Sequence, residues 1–569
     1  MIMRGLRKKR RESEITPDEI FLDARNLPDF NKHQLEGSIE QPISKRVIGI
    51  VGVLFGIVCI IFIIQLINLQ IKKGEAYFAQ SENNRIHEIV LFGDRGVVYD
   101  RYNEIIAWNV QPEKDEPFSY RAYTERSGFA HVLGYVGYPK KDTSGFYWRK
   151  ELSGREGVEA YYDDVLAGVS GTRLVETNAF GDMVSSGQVV PPQDGDNLTL
   201  SIDARMQEVL SNGLRDMATQ FQYDGGTAAV MDIYTGELIA LTSYPEFNSG
   251  VLSLGQDTET IEGYFHDGAK PMINRAISGL YAPGSVVKPF VAIAALQEGV
   301  VTPDTKINST GYIEIPNKYN PDNPTLFYDW RWGRYKTGHG QTDVYHAIAD
   351  SVNTYFYAVG GGYKNQEGIG IVKTKEYLQK FKIGEPTGFD LGVIEKTGVI
   401  PDPDWKKEVF EDGTWRVGDT YNTVIGQFGF QVTPLQMLRA TAAIANDGIL
   451  VTPHLLHGGE TDRQAISGID KKWYEVIRKA MRQTVTDGSA QILDVSKVHF
   501  AAKSGTAQTS GNKKNNAWIE GFFPYESPRY AFVIMNEGAP SAQRTGSSYV
   551  AFKLLDWIRN EAPEYFEAN

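Results

Sequence analysis

The sequence predicts an α+β fold, and three observations carry that expectation. From about Gln193 strand-like runs come first: Asn197-Leu-Thr-Leu-Ser-Ile-Asp203 alternates apolar and polar side chains, and Gly226 to Asp232 and Glu237 to Ser243 flank Tyr234-Thr235-Gly236 as a hairpin. A helical middle follows, with Met206 to Met217 reading as a helix and Ser285 to Leu296 as a buried one. Two more strand runs, Ala517 to Phe523 and Tyr530 to Asn536, return near the C-terminus around a turn over Gly521 to Arg529. Strands, then helices, then strands imply an antiparallel sheet with helices on both faces.

Upstream of that domain the chain is organised by charge and hydropathy. The 569 residues, 41% hydrophobic, suffice for several cores, and a prior of about 150 residues per domain suggests about two to four. Val47 to Ile71 carries no charge, and at about 1.5 Å per helical residue it spans a hydrocarbon core of about 30 Å. Arg4, Arg7, Lys8, Lys9, Arg10, Arg11, Lys45 and Arg46 precede it, which predicts a cytoplasmic N-terminus and an extracytoplasmic remainder, with Lys72 and Lys73 weakening the asymmetry slightly. The leading segment is long and Gln65-Leu-Ile-Asn-Leu-Gln70 offers no small-x-small site, so an uncleaved single-pass anchor is preferred to a signal peptide. Residues 12 to 44 mix Pro, Asp, Glu and Asn with scattered apolars and read as a disordered tail. The expected division is 1–46 tail, 47–71 anchor, 72–192 β-rich segment and 193–569 main domain. Cys59, the one cysteine, lies inside the apolar run, so neither an intramolecular disulfide nor an external thiol mechanism is available. A net charge of −13 without a basic stripe disfavours a nucleic-acid partner.

Three short motifs stand out in the main domain: Ser285-Val-Val-Lys288, Ser351-Val-Asn353 and Lys503-Ser504-Gly505-Thr506. Ser-x-x-Lys arises by chance about once or twice in a chain of this length, so context must choose. Ser510-Gly-Asn-Lys513 lies in a Gly/Asn/Lys run that cannot start a packed helix, whereas Ser285 follows Ala282-Pro283-Gly284 and opens the apolar stretch ending at Gly299. Pro289 is compatible with a first helical turn, and Lys288 falls on the same face as Ser285. Lys336-Thr337-Gly338 precedes the Ser-x-Asn element and sits among Gly, Tyr and Trp, and Lys396-Thr397-Gly398 runs into Pro401, so both read as loops; Lys503 sits in a strand-like run from Val498 to Gln508.

In order and spacing the triplet resembles the signature of the penicillin-interacting serine enzymes. Arg95-Gly-Val-Val-Tyr-Asp100-Arg101-Tyr-Asn103 and Gly154-Arg-Glu-Gly157-Val-Glu159 resemble pedestal elements of class B penicillin-binding proteins, with Asn103 where Gly is usual. The resemblance covers about residues 47 to 560 and implies a penicillin-binding transpeptidase fold on a β-rich pedestal, with a short stretch between Ala107 and His131 where members usually carry a longer head. It implies a peptidoglycan D,D-transpeptidase that crosslinks stem peptides and is acylated by β-lactams. A serine hydroxyl needs a base, and Lys288 can serve only if burial and a neighbouring cation, here Lys503, lower its pKa. Ser351 would pass a proton to the leaving amine and Asn353 would hold the substrate backbone. The N–H groups of Ser285 and Thr506 would form the oxyanion hole, worth about 3 kcal/mol per donor, and Lys503, Ser504, Gly505 and Thr506 would receive a terminal carboxylate. Arg95, Asp100, Arg101 and Glu159 are expected to be structural ion-pair residues.

Asp329-Trp330 and Gly338-His339-Gly340 resemble the elongation branch of that family, some members of which bind zinc beside the active site. Asp329 and His339 match two such ligands, but Ser309 and Val352 stand at the other two positions, and two ligands do not hold structural zinc. An Asp/His pair that stabilises a loop is the expected reading, and no cofactor is implied. Tyr328, Trp330, Trp332 and Tyr335 either line the cleft or pack the loop. The resemblance implies a membrane glycosyltransferase and cell-shape scaffold proteins as partners, since no Glu-Asp-x-x-Phe-x-x-His element is present for glycosyl transfer. A D,D-carboxypeptidase or β-lactamase is the first alternative, disfavoured by the lack of a Glu-x-x-Asn element after Ser351; a non-catalytic β-lactam sensor or scaffold is the second.

Overall fold

The structure, a computed structural model, describes residues 44–77, 86–111, 116–142, 147–177, 183–317, 320, 322–391, 395–509, 511 and 513–567. The tail expected over residues 12 to 44 lies outside them except for Ser44, as do Ser510 and Asn512 of the rejected Ser-x-x-Lys match. The chain forms two units, Met1–His87 with Thr177–Asp182, and Glu88–Glu176 with Met183–Asn569.

In the first unit, helix α1 (Lys45–Ile67) begins where the Ser44 side chain accepts from the Val47 N–H at 3.3 Å, and a π-helical turn, Asn68–Lys72, continues it. Together the 28 residues Lys45–Lys72 make a helix long and apolar enough to cross a membrane.

The second unit contains a four-stranded sheet. Its strands are β1 (Val98–Tyr99), β2 (Ile105–Val110), β3 (Tyr120–Tyr123) and β4 (Leu198–Thr199), in the order β4-β1-β2-β3. β4 runs parallel to β1, with Leu198 opposite Val98, so the strand expected to open the main domain joins the sheet formed by the preceding segment. It is short because Asp203 turns the chain into helix α2 (Ala204–Phe221), accepting from the Arg205 and Met206 N–H groups.

Beside this sheet Glu159 is wholly buried between two guanidiniums: Oε2 lies 2.5 Å from Arg95 Nε and Oε1 2.7 Å from Arg121 Nε. Arg95 also reaches Asp163 at 2.7 Å. Arg95 and Glu159 therefore pair as expected, with Arg121 an unforeseen second partner. Asp100 does something other than pair: its carboxylate accepts from the backbone N–H groups of Tyr102, Glu104 and Ala204, pinning the turn that Asn103 makes at φ +63°. Arg101 meets Glu237 at 3.7 Å.

The main sheet has five antiparallel strands: β5 (Gly225–Asp232), β6 (Leu238–Tyr244), β7 (Ala501–Thr509), β8 (Lys514–Phe523) and β9 (Tyr530–Pro540), in the order β6-β5-β9-β8-β7. Alternation sends Ile519, Phe523, Phe532 and Ile534 to one face, where they meet α2 and the C-terminal helix Ser548–Glu561. Trp518, Phe522, Val533 and Met535 go to the other, against the helix Pro434–Ala445, whose N-terminus carries Pro434 and a Thr433/Gln436 capping box. Helices on both faces of the sheet match the α+β expectation.

Glu159→Gln leaves Arg121 buried without a counter-charge. The expected loss is about 3–5 kcal/mol of unfolding free energy, read by chemical denaturation; a loss under about 1 kcal/mol contradicts the structural role given to this cluster.

Candidate active site

Ser285 lies in a 3₁₀ turn, Gly284–Val287, that runs directly into helix α3 (Lys288–Gln297). The sequence places the helix start at Ser285, whereas the α-helix begins three residues later. Pro289 has no N–H to return to Ser285, so the turn closes as a tighter loop in which the Lys288 N–H donates to the Ser285 carbonyl. Ser285 is partly exposed; Lys288 is wholly buried.

The Lys288 side chain meets the second motif directly. Nζ lies 2.7 Å from Asn353 Oδ1, 2.8 Å from the Ser351 carbonyl oxygen and 3.2 Å from Ser351 Oγ, over the ring of Phe356. A neutral amine donates two hydrogen bonds and accepts one, and this set suits it: the carbonyl and the amide oxygen accept, while the Ser351 hydroxyl can donate to the lone pair. Burial, then the positive charge of Lys503, lower the Lys288 pKa well below the ordinary lysine value, against a smaller opposing pull from Asp329.

Ser351 holds its carbonyl toward Lys288 at φ +56°, a left-handed conformation that a non-glycine residue adopts only where its surroundings impose it. Asp329 is part of those surroundings. Its Oδ2 accepts from the N–H of Asn353 at 2.7 Å and of Thr354 at 3.3 Å, at the start of helix α4 (Asn353–Gly361). Its Oδ1 accepts from the Arg331 N–H at 2.9 Å, at the start of a helix over Trp330–Tyr335, and lies 3.2 Å from His339 Nε2. One carboxylate thus ties two helix starts and a histidine. Burial pushes its pKa up, but the His339 and Arg331 hydrogen bonds outweigh that and hold it below the usual range.

The same geometry tests the zinc fit. Ser309 Oγ is 2.6 Å from Thr354 Oγ1, Val352 is a buried apolar residue, and no group of three or more His, Cys, Asp or Glu able to hold a metal occurs among the described residues. The donors present do not fit zinc. Of the nearby aromatics, Trp332 packs on Tyr312 with centroids 5.0 Å apart, Trp330 donates Nε1–H to the Asp350 carbonyl at 3.0 Å, and Tyr328, Trp330 and Tyr335 stay exposed.

Lys503 stands on edge strand β7, wholly buried, with Nζ 2.6 Å from the Ser504 carbonyl oxygen. Burial lowers its pKa to about 7 against the carboxylates of Glu520 and Asp350, which raise it. Ser504 Oγ lies 2.6 Å from Ser489 Oγ, and Thr506 is exposed.

Glycine fixes the distance between the turn and the strand. A Cβ on Gly284, at φ +60°, would lie 2.9 Å from the Thr506 carbonyl oxygen, and one on Gly505 would lie 3.0 Å from a Val286 methyl. Gly426, at φ +75°, backs the turn from the other side: its carbonyl accepts from the Gly284 N–H at 3.0 Å, and a Cβ there would lie 2.2 Å from the Gly284 oxygen. Sequence reading missed Gly426; the run Ile425-Gly-Gln-Phe-Gly429 signals a turn but not what the turn packs on.

The two other Lys-Thr-Gly matches lie outside the main sheet. Lys336 ends a short helix at φ +55°, and Gly398 precedes an isolated bridge between Val399 and Gln431.

The description of the penicillin-binding protein transpeptidase domain matches residues 226–555, and that of the penicillin-binding protein dimerisation domain matches residues 116–200. The chain belongs to the penicillin-binding protein transpeptidase family. Among its relatives, the peptidoglycan D,D-transpeptidase MrdA of Haemophilus influenzae is 28% identical over 87% of this chain and 88% of its own length. That of Escherichia coli is 30% identical over 77% and 71%. Among solved structures, PBP2 from Helicobacter pylori in complex with MreC superposes with a TM-score of 0.68 at 28% identity, covering 83% of this chain and 98% of that one. Pseudomonas aeruginosa PBP2 in complex with WCK 5153 gives 0.66 at 29%, covering 84% and 100%.

Gly426→Ala puts a methyl into the Gly284 carbonyl, whereas Gly299→Ala, at φ +71° with nothing within 4 Å, carries the same backbone strain without the clash. Both substitutions should cost about 1 kcal/mol or more of stability, but only Gly426→Ala should slow β-lactam acylation, by about tenfold or more; equal rates in the two variants contradict the contact's role.

Proposed function

We propose that this chain is a membrane-anchored class B peptidoglycan D,D-transpeptidase of the elongation type, acting through a Ser285 acyl-enzyme. The observation that carries the site assignment is the Lys288 amine, bonded to Ser351 and Asn353 and kept short of protons first by burial and then by Lys503. Lys288 takes the Ser285 proton as Oγ attacks the penultimate D-alanine carbonyl of a stem peptide. The N–H groups of Ser285 and Thr506 receive the oxyanion, a role supported by the close approach of the turn to β7. The proton reaches the departing D-alanine amine through the Ser351 hydroxyl, 3.2 Å from Nζ. An amine from a neighbouring stem then attacks the acyl-enzyme and restores Ser285. Asn353 donates from its amide nitrogen to the substrate backbone, its oxygen being engaged by Lys288. Lys503, Ser504, Gly505 and Thr506 bind the substrate's terminal carboxylate. Asp329 and His339 act as a loop-stabilising pair.

The basic residues before α1 support a cytoplasmic N-terminus and an extracytoplasmic catalytic domain. We divide the chain into 1–46 tail, 47–71 anchor, 72–192 pedestal and 193–569 transpeptidase domain, the last lending Leu198–Thr199 to the pedestal's sheet. The likeness to the PBP2–MreC complex supports a cell-shape scaffold protein as partner. A separate membrane glycosyltransferase would supply the glycan strands.

Ser285→Ala is expected to abolish labelling by a fluorescent penicillin and crosslinking of lipid-linked peptidoglycan polymerised by an added glycosyltransferase. Retained labelling sinks the nucleophile assignment; labelling without crosslinking in the unaltered protein sinks the transpeptidase.

A further inference from the structure

One ionisable side chain in the catalytic sheet takes no part in the chemistry above. Glu520 stands on β8 directly opposite Lys503 on β7, and side chains opposite one another in an antiparallel pair leave the same face. Both are wholly buried. Glu520's neighbours along that face, Trp518 and Phe522, belong to the apolar core, and its partner on β9 is Val533. Neither carboxyl oxygen has a partner at full hydrogen-bonding geometry; the Thr441 hydroxyl, on the helix Pro434–Ala445, approaches the carboxyl without completing such a bond. An apolar residue would pack this position without the desolvation cost of a carboxyl, so a group costly to fold is retained at the one place where it faces the cleft's carboxylate-binding cation.

We propose that Glu520 is a positioning residue for acyl transfer: acting through Lys503 from the adjacent strand, it keeps that ammonium charged when a carboxylate-bearing substrate docks against Lys503, Ser504 and Thr506. The inference rests on the transpeptidase reading above. Facing Glu520 are Lys503 from β7 and the Thr441 hydroxyl; facing Lys503 are Glu520, Asp350 from the turn before α4, and Lys288 from α3. Burial holds the Glu520 carboxyl well above the ordinary range, with Thr441 and Lys503 pulling it down, and its negative charge raises Lys503. Because the two side chains leave the same face of the sheet, the negative charge on Glu520 favours the charged form of Lys503 while the substrate's carboxylate docks. Removing the carboxyl lowers the pH at which Lys503 loses its charge.

The test is the second-order rate of acylation by a fluorescent penicillin, whose carboxylate occupies the Lys503 site, measured against pH for the full-length protein in detergent and for Glu520→Gln and Glu520→Val. The alkaline limb should move to lower pH by about one unit in both variants, and Glu520→Val should melt no lower than the unaltered protein. Limbs that coincide with the unaltered protein's, or a rate loss uniform across pH, overturn the proposal in favour of a packing role. Failure of the unaltered protein to be acylated at Ser285 would instead overturn the transpeptidase reading, and this inference with it.

Discussion

Backbone lies against backbone where the Ser285 turn meets the sheet, and the catalytic unit is arranged around that contact. Gly284 sits between the Thr506 carbonyl on one side and Gly426 on the other, with no room for a side chain on either glycine. The contact sets how far the N–H of Ser285 stands from edge strand β7. Beside it, the lysine one turn beyond Ser285 and the lysine on β7 both lie out of water. A looser joint would admit solvent, and the pKa shift that makes Lys288 a base would fade with it.

Buried charge is used in two opposed ways in this chain. In the β-rich segment Glu159 is matched by two guanidiniums, and the charge-balanced cluster is a structural clamp. In the catalytic domain Lys288 has the like charge of Lys503 as neighbour, and only carbonyl, amide and hydroxyl oxygens as bonded partners. The mismatch costs stability and yields a neutral amine, which is how perturbed pKa values come to mark reactive sites. Asp329 mediates between the two styles: it orders Asn353 and Thr354 through the backbone while leaving Lys288 no direct counter-ion.

The sequence carried the α+β class because alternation and helical spacing are local signals. The hairpin at Tyr234-Thr235-Gly236 and the returning strands β8 and β9 lie where those signals put them. Pairing is not local, so the run at Asn197 gave no sign that Leu198 would lie parallel to Val98. Charge type alone likewise suggested an ion pair for Asp100, where three backbone N–H groups claim the carboxylate. Within the candidate site, motif spacing named Lys288, Ser351 and Asn353, which the fold bonds to one another. Gly426 and Glu520 escaped notice for a common reason: one reads as a turn and the other as a polar break in a strand, and only the packing partner gives either a meaning.

The claim on which the account turns is that Lys288 works as a neutral base because it is buried beside Lys503. The most direct measurement is the acid limb of the rate at which a β-lactam acylates Ser285. A rise with pH that is complete well below 10.5, the ordinary lysine value, is the predicted result; a limb at that ordinary value, as for a solvated lysine, would contradict it.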